Sequence, residues 1–483
     1  MPRVRQCYHA AWPVFNNAVG KGDSKIATHE LVVRGGTLVT PWAVTSADVG
    51  IDRGTISAVG PGLTGERAID AGGKLVFPGA IDAHTHMALP VAGTRSSDDF
   101  YTGTAAAACG GVTTIVDFTV GTPESSIPDE IERRLEEIAD AVVDVALHGE
   151  VIGWEPGGEE EFAEAVRRGV TSFKFYTAYE DSGRRTSPSI MKRAFEVLAD
   201  LGAVAVVHCE DEGLIRSIAD SLSPAELAEM ATLAIARPDL CEGAAVTQVG
   251  RLAEETGCPT HIVHVSSTLG LAAVREARGR GARLTAETCP QYLVLTAESY
   301  DRMDGHLFAA TPALRTDADQ RALWKGLRRQ EIDFVATDHC PFTREQKAWR
   351  GSFTDLPYGL PGVETLLPLV YSEGVGKGLL HLPDLPRLLS EGPARVYGLY
   401  PRKGAIEVGS DADLVVFDPD ETWEIRAERL HMNTDFSPYE GWTVTGRVVT
   451  TIARGEVVYT DGALSAARGR GQFLFREPGE DRV

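Results

Sequence analysis

The feature that most constrains this chain is an apolar segment, residues 76–86 (VFPGAIDAHTH), which ends in two histidines separated by one residue. In an extended strand, residues i and i+2 point to the same side, so His84 and His86 can face one metal ion. Pro78 and Gly79 permit a kink just before them. Taken alone, the pair is as consistent with a polar strand surface as with metal binding. The choice depends on whether other candidate ligands follow other strands.

The size and composition of the chain indicate a globular enzyme of more than one domain. Its 483 residues suffice for two or three domains. A formal net charge of −22 argues against nucleic acid or an anionic membrane as a partner and favours neutral or weakly charged substrates. No apolar run approaches the roughly 20 residues that a membrane span needs. The seven cysteines are scattered without a Cys-x-x-Cys pair, which favours reduced thiols in a cytoplasm over disulfides.

The central part of the chain alternates between apolar strand candidates and segments with helical periodicity. The predicted strands cover residues 75–84, 112–118, 142–148, 171–178, 203–209, 260–266, 282–288 and 332–338. The predicted helices cover 98–109, 128–140, 159–168, 188–200, 242–256, 269–279 and 317–330. Eight strands with helices between them over about 260 residues predict an α/β fold, a (β/α)8 TIM barrel. A doubly wound open sheet is the alternative, and it is weakened because no glycine-rich phosphate fingerprint follows the first strand.

The two ends of the chain contain short strand candidates that cannot form a good sandwich separately. We expect residues 30–77 and 404–460 to pair in space as a second, smaller β-sandwich domain, with the catalytic barrel over 78–403. Residues 1–29 are expected to be an extension, and they lack the apolar stretch of a signal peptide. Residues 461–483 form a C-terminal tail with apolar residues but no obvious core to join. A subunit contact is one interpretation of this tail, and disorder is the other.

Candidate metal ligands gather at the predicted C-terminal ends of the strands, where barrels of this kind carry their chemistry. They are His84 and His86 on the first strand, Lys174 on the fourth, His208 on the fifth, His264 on the sixth and Asp338 on the eighth. Each has an ordinary explanation, since a histidine can be a core hydrogen-bonding group, a lysine can reach the rim and an aspartate can cap a turn. Together, at one end of one barrel, they predict a metal site. His261 is the weaker histidine candidate of the sixth strand.

Lys174 needs its own explanation, because a buried ammonium group among metal-bound imidazoles is strongly disfavoured. A lysine whose pKa is lowered by such surroundings can react with CO₂ to form a carbamate. The carbamate is a carboxylate whose two oxygens can bridge two cations. We therefore predict that Lys174 is modified to N6-carboxylysine.

With these residues in view, the chain resembles the amidohydrolase superfamily, in the branch of cyclic-amide hydrolases. This branch contains hydantoinase and dihydropyrimidinase, with allantoinase and dihydroorotase as relatives. The resemblance spans about residues 30–460 and rests on motifs at 79–86, 97–101, 111–118, 173–179, 207–210, 262–267, 287–293, 337–342 and 403–416.

The resemblance implies a binuclear metal centre. His84, His86 and Asp338 would bind the more buried ion, His208 and His264 the other, and carboxylated Lys174 with a hydroxide would bridge them. These ligands suit Zn²⁺, with Mn²⁺ or Co²⁺ as possible substitutes. The resemblance also implies a homo-oligomer, a tetramer or a dimer.

The same resemblance implies roles around the substrate. Asp338 would act as general base, and Tyr179 would stabilise the charge that develops on the ring carbonyl oxygen. Thr311 and Tyr358 lie in the segments that hold the ring amide edge; Thr311 replaces a common serine, and Tyr358 stands where hydantoinases usually have asparagine. The wall facing the exocyclic group of the substrate is expected to contain Leu89, Val91 and Tyr176.

The function implied is hydrolysis of a hydantoin or dihydropyrimidine ring to an N-carbamoyl amino acid. Allantoinase and dihydroorotase activities are the alternatives, and a non-catalytic dihydropyrimidinase-related scaffold is a remote one. Residues 87–90 contain no arginine, which dihydroorotases usually carry there to hold a carboxylate. Allantoinases usually lack the tyrosine that Tyr179 matches. The scaffold relatives lose metal ligands, whereas this chain retains all six candidates.

Overall fold

The computed structural model describes residues 28–479, so the extension expected over 1–29 lies, except for its last two residues, outside the described residues. Eight parallel strands pair in chain order, each with the next. They are β1 (Ala80–Thr85), β2 (Val112–Phe118), β3 (Asp144–Glu150), β4 (Ser172–Tyr176), β5 (Val204–His208), β6 (Thr260–Ile262), β7 (Leu284–Thr288) and β8 (Phe334–Val335). The His86 N–H donates to the His339 carbonyl at 2.8 Å, which brings the segment after β8 beside β1 and nearly closes the ring. The predicted TIM barrel is confirmed.

Helices connect the barrel strands and cover their outer faces. The α-helical segments are Phe100–Cys109, Ile127–Ile138, Glu159–Arg167, Pro188–Asp200, Glu212–Ala219, Pro224–Leu227, Thr232–Ala236, Asp239–Thr256, Thr268–Gly279, Pro290–Val294, Asp317–Arg328, Leu366–Val370, Asp384–Pro386 and Gly392–Val396. Among residues 28–479, no helix has the length and apolar character needed to cross a membrane.

The barrel interior is an apolar layer under a polar mouth. On β5, Val204 and Val206 belong to an interior cluster that also contains Phe334 and Tyr397, whereas Ala205 and Val207 pack outwards against the helices. This is the period-2 alternation of a barrel strand, and it turns His208, the next residue of the inward series, into the barrel. The apolar layer therefore forms a floor under the histidines.

A second unit is built from both ends of the chain. One sheet contains Thr28–Arg34, Asp48–Asp52, Thr55–Gly60 and Thr64–Asp70; the other contains Thr37–Val39, Val44–Ser46, Leu75–Pro78, Leu414–Glu424, Thr443–Ala453, Glu456–Thr460 and Ala463–Leu464. Leu414–Glu424 runs antiparallel to Leu75–Pro78, so the C-terminal part of the chain pairs directly with the N-terminal part. Buried residues of both sheets, including Leu31, Ile51 and Val416, share one core. The predicted smaller β-sandwich is confirmed.

The strand predicted over 75–84 is wrong in one respect, because the structure divides it into two strands at Gly79. The Gly79 N–H donates to the Asp413 carbonyl at 2.8 Å, whereas the next N–H, of Ala80, donates to Gly111 in the barrel at 3.0 Å. A Cβ atom at Gly79 would lie 2.1 Å from the Thr113 Oγ1. Glycine is therefore required where the chain leaves the sandwich for the barrel.

The C-terminal residues have a core to join, contrary to our reading of the sequence. The Leu474 N–H donates to the Val145 carbonyl at 2.7 Å, and the Val145 N–H donates to the Gln472 carbonyl at 2.9 Å. Leu474 is fully buried, and Arg476 reaches the Ser172 hydroxyl at 3.0 Å. Residues 472–476 thus run along the start of β3.

Candidate active site

A cavity of about 390 Å³ opens at the C-terminal ends of the barrel strands, within the size range of ligand pockets. Every site residue that the resemblance implied borders it: His84, His86, Lys174, Tyr179, His208, His264, Thr311, Asp338 and Tyr358, together with Leu89, Val91 and Tyr176. His261 is not among the lining residues; it stacks on Phe334 inside the barrel at 4.8 Å between ring centroids. A second cavity, of about 450 Å³, is bordered by Trp324 and Trp442 and contains none of these residues.

The first group of candidate ligands converges on one carboxylate oxygen. The Asp338 Oδ1 lies 3.2 Å from the His84 Nε2 and 3.1 Å from the His86 Nε2. A tetrahedral ion separates its nitrogen and oxygen ligands by about 3.3 Å. The His84 Nε2 is buried and makes no hydrogen bond to any described residue. A cation bound by these three atoms would satisfy it.

The second group is a histidine pair. The His208 Nδ1 lies 3.0 Å from the His264 Nε2. The His264 ring centroid is 5.5 Å from that of His84, so the two groups adjoin. Ligand atoms of His84, His264 and Asp338 all lie within 4.8 Å of one another. The spacing fits two neighbouring cations, which in binuclear sites are about 3.5–4 Å apart.

Buried carboxylates orient the histidines from behind. The Glu287 Oε1 lies 2.5 Å from the His84 Nδ1, and the Glu210 Oε2 lies 2.9 Å from the His208 Nε2. In each case the partner is on the ring nitrogen opposite the one that faces the other candidate ligands. A carboxylate at this position fixes the tautomer and the ring orientation of a metal-binding histidine.

The protonation states also suit metal binding. Burial holds the pKa values of His84 and His264 well below their ordinary range, with Lys174 as the next cause for His84 and His208 for His264. Burial also lowers the pKa of His208. These imidazoles are therefore neutral, the form that binds metals. Burial lowers the pKa of Lys174 to about 8, although Asp338 and other acids oppose the shift. The donor set fits two divalent cations.

Three of the candidate residues have strained backbones. Tyr179, His264 and Asp338 have φ angles of 72°, 41° and 54°, in the left-handed region that favours glycine. Such conformations persist only where the surrounding structure imposes them, and they are frequent at functional sites. The strain is consistent with side chains held in place for a reaction.

Two tyrosines border the cavity in different ways. The Tyr179 hydroxyl lies 2.6 Å from the Thr311 Oγ1, and its ring is 4.9 Å from that of His208. Burial raises the pKa of Tyr179, so its hydroxyl stays protonated and can donate to a bound ligand. The Tyr358 hydroxyl donates instead to the Phe353 carbonyl of its own loop, at 3.0 Å. Tyr358 therefore offers the cavity its ring rather than its hydroxyl.

The sequence did not suggest the roles of several buried charged residues. Glu210 and Arg237 form a bidentate pair at 3.1 and 2.6 Å behind His208, and Glu150 pairs with Arg184 at the cavity wall at 2.9 Å. Glu210 lies two residues after His208, just beyond the end of β5, and this i, i+2 spacing could have indicated that the two side chains adjoin. The arginines come from loops and carry no such signal.

The family of the chain follows from comparison with known proteins. A sequence model of the Amidohydrolase family matches residues 75–458, and the chain belongs to this family. The D-phenylhydantoinase of Escherichia coli (strain K12 / DH10B) is 38% identical over 459 residues, which cover 93% of this chain and 98% of that relative.

Solved structures agree. The D-hydantoinase from Bacillus sp. AR9 superposes with a TM-score of 0.91 at 35% identity, over 93% of this chain and 100% of that one. The dihydropyrimidinase from Brevibacillus agri NCHU1002 gives 0.90 at 34% identity, over 92% and 98%. The resemblance to hydantoinases and dihydropyrimidinases is confirmed.

Proposed function

We propose that this protein hydrolyses a cyclic amide, a hydantoin or a dihydropyrimidine, and opens the ring to an N-carbamoyl amino acid. The observation that carries the proposal is the convergence of six candidate ligands in one cavity beside a protonated tyrosine. Relatives of nearly the full length of the chain that are named D-phenylhydantoinase and dihydropyrimidinase support it.

The cofactor is a pair of divalent cations, with Zn²⁺ best suited to imidazole and carboxylate ligands and Mn²⁺ or Co²⁺ as substitutes. The residues that would hold it are His84, His86, Lys174, His208, His264 and Asp338. When bound, the cations supply a nucleophile by lowering the pKa of water and act as a Lewis acid on the carbonyl. Lys174 participates as N6-carboxylysine; its burial and its pKa of about 8 leave neutral amine to react with CO₂.

The side chains of the cavity move the proton and stabilise the developing charge. As water attacks the ring carbonyl carbon, the Asp338 carboxylate accepts the proton that is released and returns it to the ring nitrogen that leaves. The Tyr179 hydroxyl donates to the carbonyl oxygen as negative charge builds on it. Thr311, 2.6 Å from that hydroxyl, fixes its position. Glu287 and Glu210 fix the orientations of the His84 and His208 rings.

A substrate panel tests this proposal. The full-length protein, supplied with Zn²⁺, Mn²⁺ or Co²⁺ in bicarbonate buffer, is assayed on 5-substituted hydantoins, dihydrouracil, allantoin and dihydroorotate. We expect N-carbamoyl amino acids from the hydantoins or from dihydrouracil. Activity on allantoin or dihydroorotate alone would favour those alternatives, and no hydrolysis of any ring would favour the non-catalytic relative.

Three further features of the protein are proposed. Residues 30–77 and 404–460 form the β-sandwich domain, and residues 78–403 form the catalytic barrel. The protein is a tetramer or a dimer, which the exposed apolar side chains Ile235 and Leu240 support. Its location is cytoplasmic, which the free cysteines of the described part support.

A further inference from the structure

Arg184 lies on the wall of the cavity and pairs with Glu150, and the proposed hydrolysis gives neither residue a role. Glu150, at the end of β3, is buried with 1% of its side chain exposed. Its Oε1 accepts hydrogen bonds from the Tyr176 hydroxyl at 2.5 Å and from the Arg184 Nη1 at 2.9 Å, and its Oε2 accepts from the Gly121 N–H at 2.8 Å. Tyr176 and Arg184 border the cavity, whereas Glu150 lies behind them.

The two arginines of the cavity differ in how fully they are engaged. Arg237 gives two N–H groups to Glu210, is covered by the Tyr179 ring at 5.3 Å and stands behind His208. Arg184 gives one N–H to Glu150, beside the Tyr176 hydroxyl, and 19% of its side chain is exposed. A guanidinium has five N–H donors in a planar fork. Arg184 therefore has donors left for a ligand.

The cavity also has an apolar part. Leu89, Val91 and Leu356 line the same cavity. The Tyr176 ring adjoins both Lys174 and Arg184, with the Lys174 Nζ 5.3 Å and the Arg184 guanidinium carbon 5.8 Å from its centroid. A substituent of a few carbon atoms on a substrate ring bound at the candidate metal site would therefore reach Arg184.

We propose that Arg184, held by Glu150 and Tyr176, binds a carboxylate at the end of the exocyclic arm of the substrate. This subsite rests on the proposed function, because it assumes a cyclic amide bound at the histidines. Methylene groups of the arm pack on Leu89 and Val91, and the carboxylate receives charge-assisted hydrogen bonds from the guanidinium. The substrate class is a cyclic amide with a short carboxyalkyl substituent.

A substrate with one carboxylate is at the weakly charged end of the expected range of neutral or weakly charged substrates. That expectation came from the net charge of −22, which describes the whole surface. Binding depends on the groups within the cavity, where the charge of Glu150 is matched by Arg184 and that of Glu210 by Arg237. A substrate carboxylate therefore meets no unpaired glutamate among the described residues of this wall, and it can accept hydrogen bonds from the N–H groups of Arg184 that Glu150 does not use.

The test compares 5-(2-carboxyethyl)hydantoin with its neutral isostere 5-(2-carbamoylethyl)hydantoin. We expect kcat/KM of the wild-type protein to be roughly tenfold to hundredfold higher for the carboxylate, the size of a charge-assisted hydrogen bond. Arg184→Met should abolish this preference, chiefly through KM. Raising the ionic strength should reduce the preference in the wild-type protein.

Two further variants separate binding from structure. Arg184→Met leaves Glu150 buried without a counterion, so the charge-neutral double variant Glu150→Gln/Arg184→Met is measured beside it. Arg185→Met is the matched control, because Arg185 is the next residue and pairs with Glu180 at the surface; it should keep the preference.

The results distinguish the two proposals. Hydrolysis of neither hydantoin, with no activity elsewhere in the substrate panel, would overturn the proposed function. Equal kcat/KM values for both hydantoins, or a preference that survives in the variants lacking Arg184, would overturn the subsite and leave the hydrolase intact. A preference lost equally in the Arg185 control would also overturn it.

Discussion

Lys174 and Lys403 are each 1% exposed, but they lie at opposite ends of the barrel and in opposite surroundings. At the N-terminal ends of the strands, the Lys403 Nζ lies 2.6 Å from Asp144, 3.0 Å from Asp411 and 2.8 Å from Asp413. In the mouth of the barrel, the Lys174 Nζ faces aromatic rings, with the Phe118 centroid at 4.9 Å.

The surroundings set the chemistry of each amine. Burial alone would lower the pKa of Lys403, but the neighbouring carboxylates outweigh it and hold that pKa above its ordinary value. At Lys174 burial prevails and the pKa falls to about 8. Lys403 is therefore a permanent cation that links the sandwich to the barrel. Lys174 has a neutral, nucleophilic fraction near neutral pH. Burial alone does not set the pKa of a lysine; the carboxylates within ion-pair distance of Lys403 raise its pKa, whereas the described acids around Lys174 form no ion pair with it and only partly oppose the effect of burial.

The largest effect is expected from removing Lys174, the site of the proposed carbamate. Lys174→Ala should lose bound metal and lower kcat/KM by more than about a hundredfold, the loss caused by changing even the outer partners of metal ligands. Short carboxylic acids such as acetate should restore part of the activity, because they can replace the carbamate oxygens. Activity and elemental analysis are the measurements.

Lys377→Ala, at a surface pair with Glu373, is the control and should behave as the wild type. If Lys174→Ala retained two metal ions per chain, the bridging role would be wrong.

The second largest effect is expected at the other end of the barrel. Lys403→Met should lower the free energy of unfolding by about 3–5 kcal/mol, because it removes one partner of a buried ionic network and leaves Asp144, Asp411 and Asp413 close together. Denaturant unfolding measures this loss. Metal content per folded chain should stay at the wild-type value. A stable Lys403→Met protein that lost its metal would reverse the assignment of the two lysines.

The barrel and its candidate ligands could be predicted because both rest on local patterns. Period-2 strands with polar residues at their ends show which residues share the mouth, and His208 follows this rule directly. The sequence permits a kink at Pro78 and Gly79, but the change of sheet at Gly79 could not be predicted in this way, because a strand follows on both sides of it. Only the neighbours, Asp413 on one side and Gly111 on the other, reveal that the chain changes sheets.

Long-range partners account for the rest of what the sequence did not reveal. Leu474 pairs with Val145, more than 300 residues earlier, and neither segment indicates the other. Glu150 is a lone acid at the end of a strand, and its partner Arg184 lies in a loop 34 residues later. Strand patterns place a side chain on a face, but they do not identify the loop residue that meets it. The pair of Glu150 and Arg184 was therefore less predictable than the candidate metal ligands.

The smallest effect, counted per pH unit, is expected at a third buried lysine, whose pKa is lowered further than that of Lys174. Lys347 is fully buried, and its Nζ donates to the Ala309 carbonyl at 2.8 Å, two residues before Thr311. Burial lowers the pKa of Lys347 to about 7, against an ordinary value of 10.5. Between these values the unfolded chain holds a proton that the folded chain lacks, so stability rises with pH.

Comparison with Lys347→Met isolates this contribution, because other groups titrate alike in both proteins. The stability of the wild type relative to Lys347→Met should increase from pH 7 to pH 10, by at most about 1.4 kcal/mol per pH unit. Denaturant unfolding at several pH values measures the difference, with Lys377→Met as the exposed control. A difference that does not change with pH would mean that Lys347 stays charged when folded, as Lys403 does. An increase would place it with Lys174, among the buried amines whose pKa is lowered because no carboxylate in the described part of the chain forms an ion pair with them.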